Sequence, residues 1–460
     1  MNLKVNYKNK IYKAGRFVVA TLNQAGFEAY WVGGTVRDLI LGKVSDNLDI
    51  ATNAVPDEVE LLLKTKGIST KPVGKKFGTI LAVIEGNLIE ITTYRAEGRY
   101  SDSRHPDQVK FIKAASEDAL RRDFTINSLY FDPLSATLLD PVKGLADLEA
   151  GLIRFVGNPK HRIDEDPLRM MRAVRLASEL GFKLEKNSFA AIKTRVKLIQ
   201  RVSGERLKLE FDKILLSINH ILGLRLLDEL GLMRFLIPNL HLLKKIQHGS
   251  KTYHLEKDAF EHTMMVVENT NGTLEVKYAS LFHDLGKIDA QKKVTLEGKT
   301  LFKFTGHQAV SARHFIKFAE RLKFPNKSKK RIEWLIIHHD DRTGFKQAKL
   351  IKQIKYALEP GFSELLEVWK GDSLGNLKLA DDGTIKASPS EAYKIGLALL
   401  TKLGNKKDLI KTLTSGEIIM KQTSIKPGPQ IKSVQGKIIE QIYLGKIKNE
   451  SDLQKFLKKK

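Results

Sequence analysis

The sequence predicts an α+β chain: a head built on a small mixed β-sheet, followed by a mostly all-α remainder. Three observations lead there. Up to about residue 135, two-residue alternation and helical spacing interleave; from about residue 145 onward strand patterns nearly vanish. At 460 residues the chain also exceeds one ordinary core, so several domains are expected. The composition shifts place a head at 1–140, a helical neck at 141–245, a histidine-rich helical domain at 246–350 and a basic helical tail at 351–460.

Element by element, Ile11–Gln24 has helical spacing, and Glu28–Val32 reads as a strand running into Gly33-Gly34. A second strand covers Asn47–Thr52. Pro56-Asp57-Glu58 then opens a helix with acids in its first turn, where the helix dipole favours them. Gly78–Ile84 and Leu88–Tyr94 alternate around Glu85-Gly86-Asn87, the pattern of a hairpin. Helices follow at Asp166–Leu180, Asn187–Ile199, Gly204–Leu216 and Leu222–Leu230. The block from about 250 to 345 reads as helical and His-rich, and a Gly/Pro break falls at Lys426-Pro427-Gly428-Pro429.

Charge narrows the function. Lys and Arg total 78 against 53 Asp and Glu, a net +25, which points to a polyanionic partner, nucleic acid or an acidic membrane surface. The 42% hydrophobic fraction excludes wholesale disorder. There is no cysteine, which excludes disulfides, Cys-ligated zinc, iron–sulfur clusters and thiol catalysis. The N-terminus has no apolar leader segment, and no run approaches the length of a membrane span. A cytoplasmic protein with no membrane contact is the expectation.

Four short constellations carry chemistry. Gly33-Gly34-Thr35-Val36-Arg37-Asp38 lies between strand and helix, where glycines let backbone amides approach phosphate and Arg37 adds a guanidinium; a plain strand-turn-helix would look the same. On the next strand Asn47 and Asp49 share a face while Leu48 points inward. Glu90, embedded in Ile89-Glu90-Ile91, offers a second carboxylate for a divalent ion, or else marks a solvated sheet face. In Asp118–Asn127, Arg122 suits a triphosphate and Asp123 a ribose or backbone contact, unless the segment is a capped helix start. Lastly, Asp166 reads as an N-cap with Pro167 just inside the helix, and Arg169, Arg172 and Arg175 form one stripe. An Asp and an Arg three apart can present acceptor and donors to a base edge; a salt-bridged surface is the plainer alternative.

Together, in this order, these pieces resemble the class II tRNA nucleotidyltransferases (CCA-adding enzymes) and the related bacterial poly(A) polymerases. The resemblance runs through Gly33–Asp38, the strand at 47–49, Tyr100–Pro106, Arg121–Asn127, Asp140–Leu148 and Glu165–Arg169. It implies template-independent addition of C, C and A to the tRNA 3′ end from CTP and ATP, with Mg2+ as cofactor. Gly33, Gly34, Arg37, Arg122 and Asp123 would hold the nucleotide and Asp49 the magnesium. Asp166 and Arg169 would pair with CTP and then ATP, supported by Arg172 and Arg175. One position departs: the family carries Asp-x-Asp here, and Asn47 stands where the first aspartate belongs, with Asp46 facing the other way unless the strand bulges. Asn47 brings no charge, so Glu90 would complete the site. The segment Arg95–Pro106 leans towards CCA or terminal A addition. Poly(A) addition, and a weakened RNA-binding head, stay open.

Seven of the twelve histidines fall between His254 and His339. Ser280-Leu281-Phe282-His283-Asp284 ends an apolar helix with a His-Asp pair, which can bind a metal that activates water. With His262 and Asp340 this pair resembles the core ligands of the HD phosphohydrolase superfamily; Gly306-His307-Gln308 and Ile337-His338-His339 supply further candidates. That resemblance implies a second divalent metal, with phosphohydrolase activity open. Residues 381–460 carry 16 Lys against 8 acids, fitting a grip on the tRNA backbone.

Overall fold

The computed structural model describes residues 5–45, 47–96, 109–246, 255–296, 299–380, 384–423 and 425–458. Asp46, His254 and the Tyr100–Pro106 motif lie outside the described residues. The chain divides into two compact units, Met1–Phe235 and Leu236–Lys460. No described helix is long and apolar enough to cross a membrane.

The first unit is built on strands β1 (Ala29–Val32), β2 (Leu48–Thr52), β3 (Ser69–Lys71), β4 (Thr79–Ile84), β5 (Asn87–Thr93), β6 (Arg95–Ala96), β7 (Lys110–Phe111), β8 (Tyr130–Asp132) and β9 (Thr137–Leu139). Seven of them form one mixed sheet in the order β3-β4-β5-β2-β1-β8-β9, with β2 and β5 parallel. The expected hairpin is present. Ile84 pairs with Asn87, and Glu85 and Gly86 both take positive φ (48° and 79°), the two-residue turn that suits twisted strands.

Helix α1 (Lys10–Gln24) buries Ile11, Ala14, Val18, Val19 and Leu22. It packs against β1, β2 and β5, with Gly15 directly against Leu48. Because strand side chains alternate, Leu48 and Ile50 face inward and Asp49 emerges on the opposite face.

Further helices are α2 (Gly34–Ile40), α3 (Pro56–Thr65), α4 (Ala115–Leu120), α5 (Gly144–Glu149), α6 (Pro159–Glu165), α7 (Arg169–Leu180), α8 (Lys186–Arg195), α9 (Gly204–Leu216) and α10 (His220–Glu229). The sequence starts the arginine helix at Asp166, whereas α7 begins at Arg169. Pro167 disfavours helical geometry at the preceding residue, and Asp166 is extended (φ −144°, ψ 100°). Its carboxylate still takes the Leu168 amide, at 3.1 Å, so Asp166 sits at a kink between α6 and α7.

Among the described residues the second unit is helical apart from two antiparallel ribbons, the shorter pairing Lys378–Leu379 with Ile385–Lys386. Lys292–Leu296 and Lys299–Lys303 pair as an antiparallel ribbon inside the block read as helical; only Val294 and Leu296 of the first strand alternate with lysine and threonine, a pattern lost among the flanking helical periods. The expected boundary at 350 does not separate structures. Helix Phe362–Gly375 packs along Ala259–Asn269 and Leu274–Phe282, and Glu391–Leu403 packs on it in turn.

Candidate active sites

In the first unit, register brings the carboxylates together. Asp49 lies opposite Val32 on one side and Glu90 on the other. Neighbouring strands run about 5 Å apart, so two acids at one register position face one another. Burial raises the Asp49 carboxyl, opposed by the Arg122 and Arg172 charges. Glu90, whose side chain reaches solvent, is raised by partial desolvation and then by the charge of Asp49. Two carboxylates at one register position, one raised by the charge of the other, are a suitable donor set for a divalent cation. Asn47 is exposed just before β2, and its backbone oxygen accepts from Thr35 Oγ1 (3.0 Å) and Ser45 Oγ (2.7 Å).

Gly33 is the turn above Asp49. Its φ of 71° suits glycine, and a Cβ there would lie 3.3 Å from Asp49 Oδ2 and 4.0 Å from Arg122 Nη1. Gly34 opens α2 against the Arg37 guanidinium. Arg37 is buried, donating to Asn127 Oδ1 at 2.7 Å and to Asp38 at 2.9 Å, which ties α2 to the 125–127 turn.

Asp118 organises Arg122, a role the sequence did not reveal. Fully buried, it accepts from Arg122 Nη2 (3.0 Å), Arg121 Nε (2.7 Å) and the Tyr130 hydroxyl (2.7 Å). Against the desolvation that would raise it, the Arg122 and Arg121 charges hold Asp118 below the usual carboxylate range. Arg122 Nε and Nη2 are thus engaged, while Nη1 lies toward Gly33 and Asp49.

Asp123 is not open to a ribose. It accepts from Arg172 Nε (2.8 Å) and the Phe124 amide (2.8 Å), and against burial the Arg172 charge lowers it to about 2. Arg172 therefore joins the 118–127 segment to α7. Arg169 donates to Glu165 and to the Arg162 carbonyl, and Asp166 Oδ2 accepts from Arg206 Nη2 at 2.7 Å. Arg175 is held by Glu210 (2.6 Å) and Glu179 (2.8 Å). Glu165 stood inside a visible motif, but Arg206 and Glu210 lie on α9, and no local pattern connects them to α7.

In the second unit His262, His283 and Asp284 converge, and Asp284, His307 and His339 converge beside them, all buried. Asp340 does not join them. It follows His339 and turns outward, half exposed, accepting from Gln308 Nε2 at 2.8 Å. Asp372 approaches instead, with Oδ1 3.4 Å from His262 Nε2. It lies in the helix Phe362–Gly375, where nothing in the sequence sets it apart from Glu364 and Glu367. His338 belongs elsewhere, bonded to Asp341 and Tyr356. Burial and the neighbouring His283 lower His339 to about 3; against burial, Asp372 and Glu256 push His262 up to about 9. Gly286 permits this assembly, because a Cβ there would meet the His307 carbonyl at 2.3 Å and the Ser311 amide at 2.5 Å.

Comparison with known proteins agrees with the first unit. The family described as the poly A polymerase head domain matches residues 29–154, and one described as a probable RNA- and SrmB-binding site of polymerase A matches 181–243. A CCA-adding enzyme of Enterococcus faecalis is 44% identical over 213 residues, 46% of this chain and 51% of that protein. That of Lactiplantibacillus plantarum is 43% identical over 225 residues, 49% and 54% of the two. The match thus spans about half the length of these relatives. The Bacillus stearothermophilus CCA-adding enzyme, solved with CTP, superposes with a TM-score of 0.68 at 25% identity, covering 98% of both chains. A Thermotoga maritima CCA-adding enzyme complexed with tRNA shares the fold, with a TM-score of 0.61 at 19% identity over 98% of this chain and 95% of that one. Through its head and the segment that follows, the chain is similar to the CCA-adding enzymes, and its residues 29–154 match the poly A polymerase head domain.

Proposed function

We propose that this protein is a CCA-adding tRNA nucleotidyltransferase, transferring CMP, CMP and AMP from CTP and ATP to the tRNA 3′ end without a nucleic-acid template. The observation that carries this reading is the pairing of Asp49 with Glu90 on the open sheet face, beneath the Gly33 turn and beside Arg122. In the reaction the 3′-hydroxyl oxygen bonds to the α-phosphorus, the bond to the β-phosphate oxygen breaks, and pyrophosphate leaves. Magnesium held by Asp49 and Glu90 would supply positive charge at the reacting phosphate. Arg122, fixed from behind by Asp118 and Tyr130, presents Nη1 toward the phosphates. The first amides of α2 have no intrahelical acceptor and suit phosphate oxygens. Asp166 and Arg169, set at the α6–α7 kink, suit a base edge. The lysine-rich C-terminal segment suits the tRNA backbone, and a cytoplasmic location accords with that partner.

The test is magnesium-dependent incorporation of labelled CMP and AMP into tRNA lacking its terminus. The 3′ ends would then be sequenced after extension with CTP alone, ATP alone and both. An ordered C, C, A product is expected; runs of A would favour a poly(A) polymerase, and no incorporation a binding protein. Asp49→Ala should lower incorporation by at least about 100-fold.

The buried His/Asp cluster favours a second reading, a metal-dependent phosphohydrolase in residues 236–460. Ring opening of 2′,3′-cyclic nucleotides to monophosphates, or phosphate release from 2′-phosphates, should disappear when His283 and Asp284 are both replaced by Ala.

A further inference from the structure

The ribbon of Lys292–Leu296 and Lys299–Lys303 stands apart from the helices around it. Its strands pair with each other, and no described helix packs along them. A lone two-stranded ribbon is at best marginally stable in water. Its charges weaken it further. The two strands carry four lysines and no acid, and Lys292 lies directly opposite Lys303. Like charges at opposed positions repel across a Cβ separation of about 5 Å. Lys292, Lys293 and Lys303 are all exposed, and none pairs with an acid among the described residues. A polyanion laid along the ribbon would relieve that repulsion.

The second face adds an aromatic ring. Strand side chains alternate, so Lys293 and Phe302, also opposed, share the face away from Lys292 and Lys303. Phe302 is 49% exposed, a large apolar side chain set beside a cation. Lysines for phosphates and an aromatic ring for a base are the combination that holds single-stranded nucleic acid.

The foot of the ribbon gives it a direction. Lys303 runs straight into Phe304, Thr305, Gly306 and His307, and Lys292 follows soon after Lys287. Those five residues, from Lys287 to His307, line a cleft of about 840 Å3 at the buried His/Asp cluster. Lys287 Nζ lies 5.6 Å from the centre of the Phe304 ring, so cation and aromatic ring recur from the cleft to the ribbon.

We propose that this ribbon is an RNA-binding arm of the second unit, gripping phosphates with Lys292, Lys293 and Lys303 and stacking a base on Phe302. A strand lying along it brings its terminal phosphate ester to the cleft. This rests on the phosphohydrolase reading of that cleft and names its substrate class: the end of a single-stranded RNA in preference to a free nucleotide. An acidic membrane would also satisfy the lysines, but a flat bilayer offers nothing to the cleft at the ribbon's foot.

The test footprints the full chain by lysine acetylation and mass spectrometry. It is run alone, with a short single-stranded RNA ending in a 2′,3′-cyclic phosphate, and with vesicles of phosphatidylserine and phosphatidylcholine. The readout is local, so RNA held elsewhere on the chain does not obscure it. RNA should slow acetylation of Lys292, Lys293 and Lys303 at least about threefold, and vesicles should not. Turnover of the same RNA end is then compared with that of a 2′,3′-cyclic mononucleotide. Phe302→Ala, and Lys292→Ala with Lys303→Ala, should each cut the preference for RNA at least about fivefold through KM, with Phe302→Tyr retaining it. Equal losses on both substrates would mark the ribbon as structural and overturn the arm. Ribbon lysines acetylated equally with and without RNA would overturn it too, as would protection by vesicles alone. Protection by RNA with neither substrate hydrolysed would refute the phosphohydrolase reading and leave the arm standing.

Discussion

Asp49 owes its setting to a neighbour with no side chain. Gly33 combines a φ of 71° with a 3.3 Å approach to the Asp49 carboxylate, so Gly33→Ala introduces both strain and crowding. We expect a loss of about 1–2 kcal/mol in chemical denaturation and at least about tenfold lower CMP incorporation. Asn47 can be judged separately, since its backbone is clasped by Thr35 and Ser45 while its side chain is exposed. Asn47→Asp adds a charge without moving the strand. Half-maximal incorporation should therefore need less Mg2+, by about threefold or more; an unchanged requirement would place Asn47 outside the ion's reach. At this scale short spacing was legible: the sequence singled out Gly33, Asp49 and the His283–Asp284 pair, and the structure places Gly33 against Asp49 and gathers His262 with that pair. Asp118 and Asp372 did not, because a buried acid looks like any other until its partners are known.

Helix α7 shows how a stripe becomes an element of the site. Its arginines read as a single drifting face, and each proves to be held by a different acid: Glu165, Asp123 and Glu210. Those pairings span up to 49 residues, beyond any periodicity. The Asp123 bond to Arg172 has a stability consequence. With Asp123 lowered to about 2 from an ordinary value near 4, its contribution is complete above about pH 4 and lost as pH falls toward 2. Asp123→Asn should cost about 2 kcal/mol at neutral pH and flatten the acid limb of the unfolding profile. Arg206 acts through Asp166. Arg206→Ala frees that carboxylate and should raise misincorporation about tenfold by increasing the KM for the correct nucleotide, with kcat less affected and Arg206→Lys partly restoring selection. Equal losses in kcat with unchanged selectivity would instead mark Arg206 as structural. The kink presenting Asp166 was readable in hindsight from Pro167, since a residue before proline resists helix.

Across the molecule, the +25 charge divides by task. Arginines around α7 and at 122 are tied to acids, whereas residues 381–460, with 16 Lys against 8 acids, hold a surplus of 8 positive charges. Raising salt from about 50 to 200 mM should weaken tRNA binding by orders of magnitude and CTP binding far less, measured by titration calorimetry. Chain-wide class was legible, a sheet-based head and a helical remainder, but the packing of helices across residue 350 was not. A helix from beyond 350 supplies Asp372, because chain order does not fix which helices pack together. The first unit carries one more consequence. Asp123 clasps Arg172, Thr125 Oγ1 bonds to Asp147 at 2.6 Å, and Phe124 stacks near Phe155. These contacts tie the 118–127 segment to α7 and to the residues around Asp147 and Phe155. On the proposed CCA-adding reading they would join the phosphate end of the site to the base end like the fixed jaws of a gauge, which would accept cytosine or adenine by turning the side chains set in it. On that reading it would be the lengthening RNA that backs out by one step after each addition.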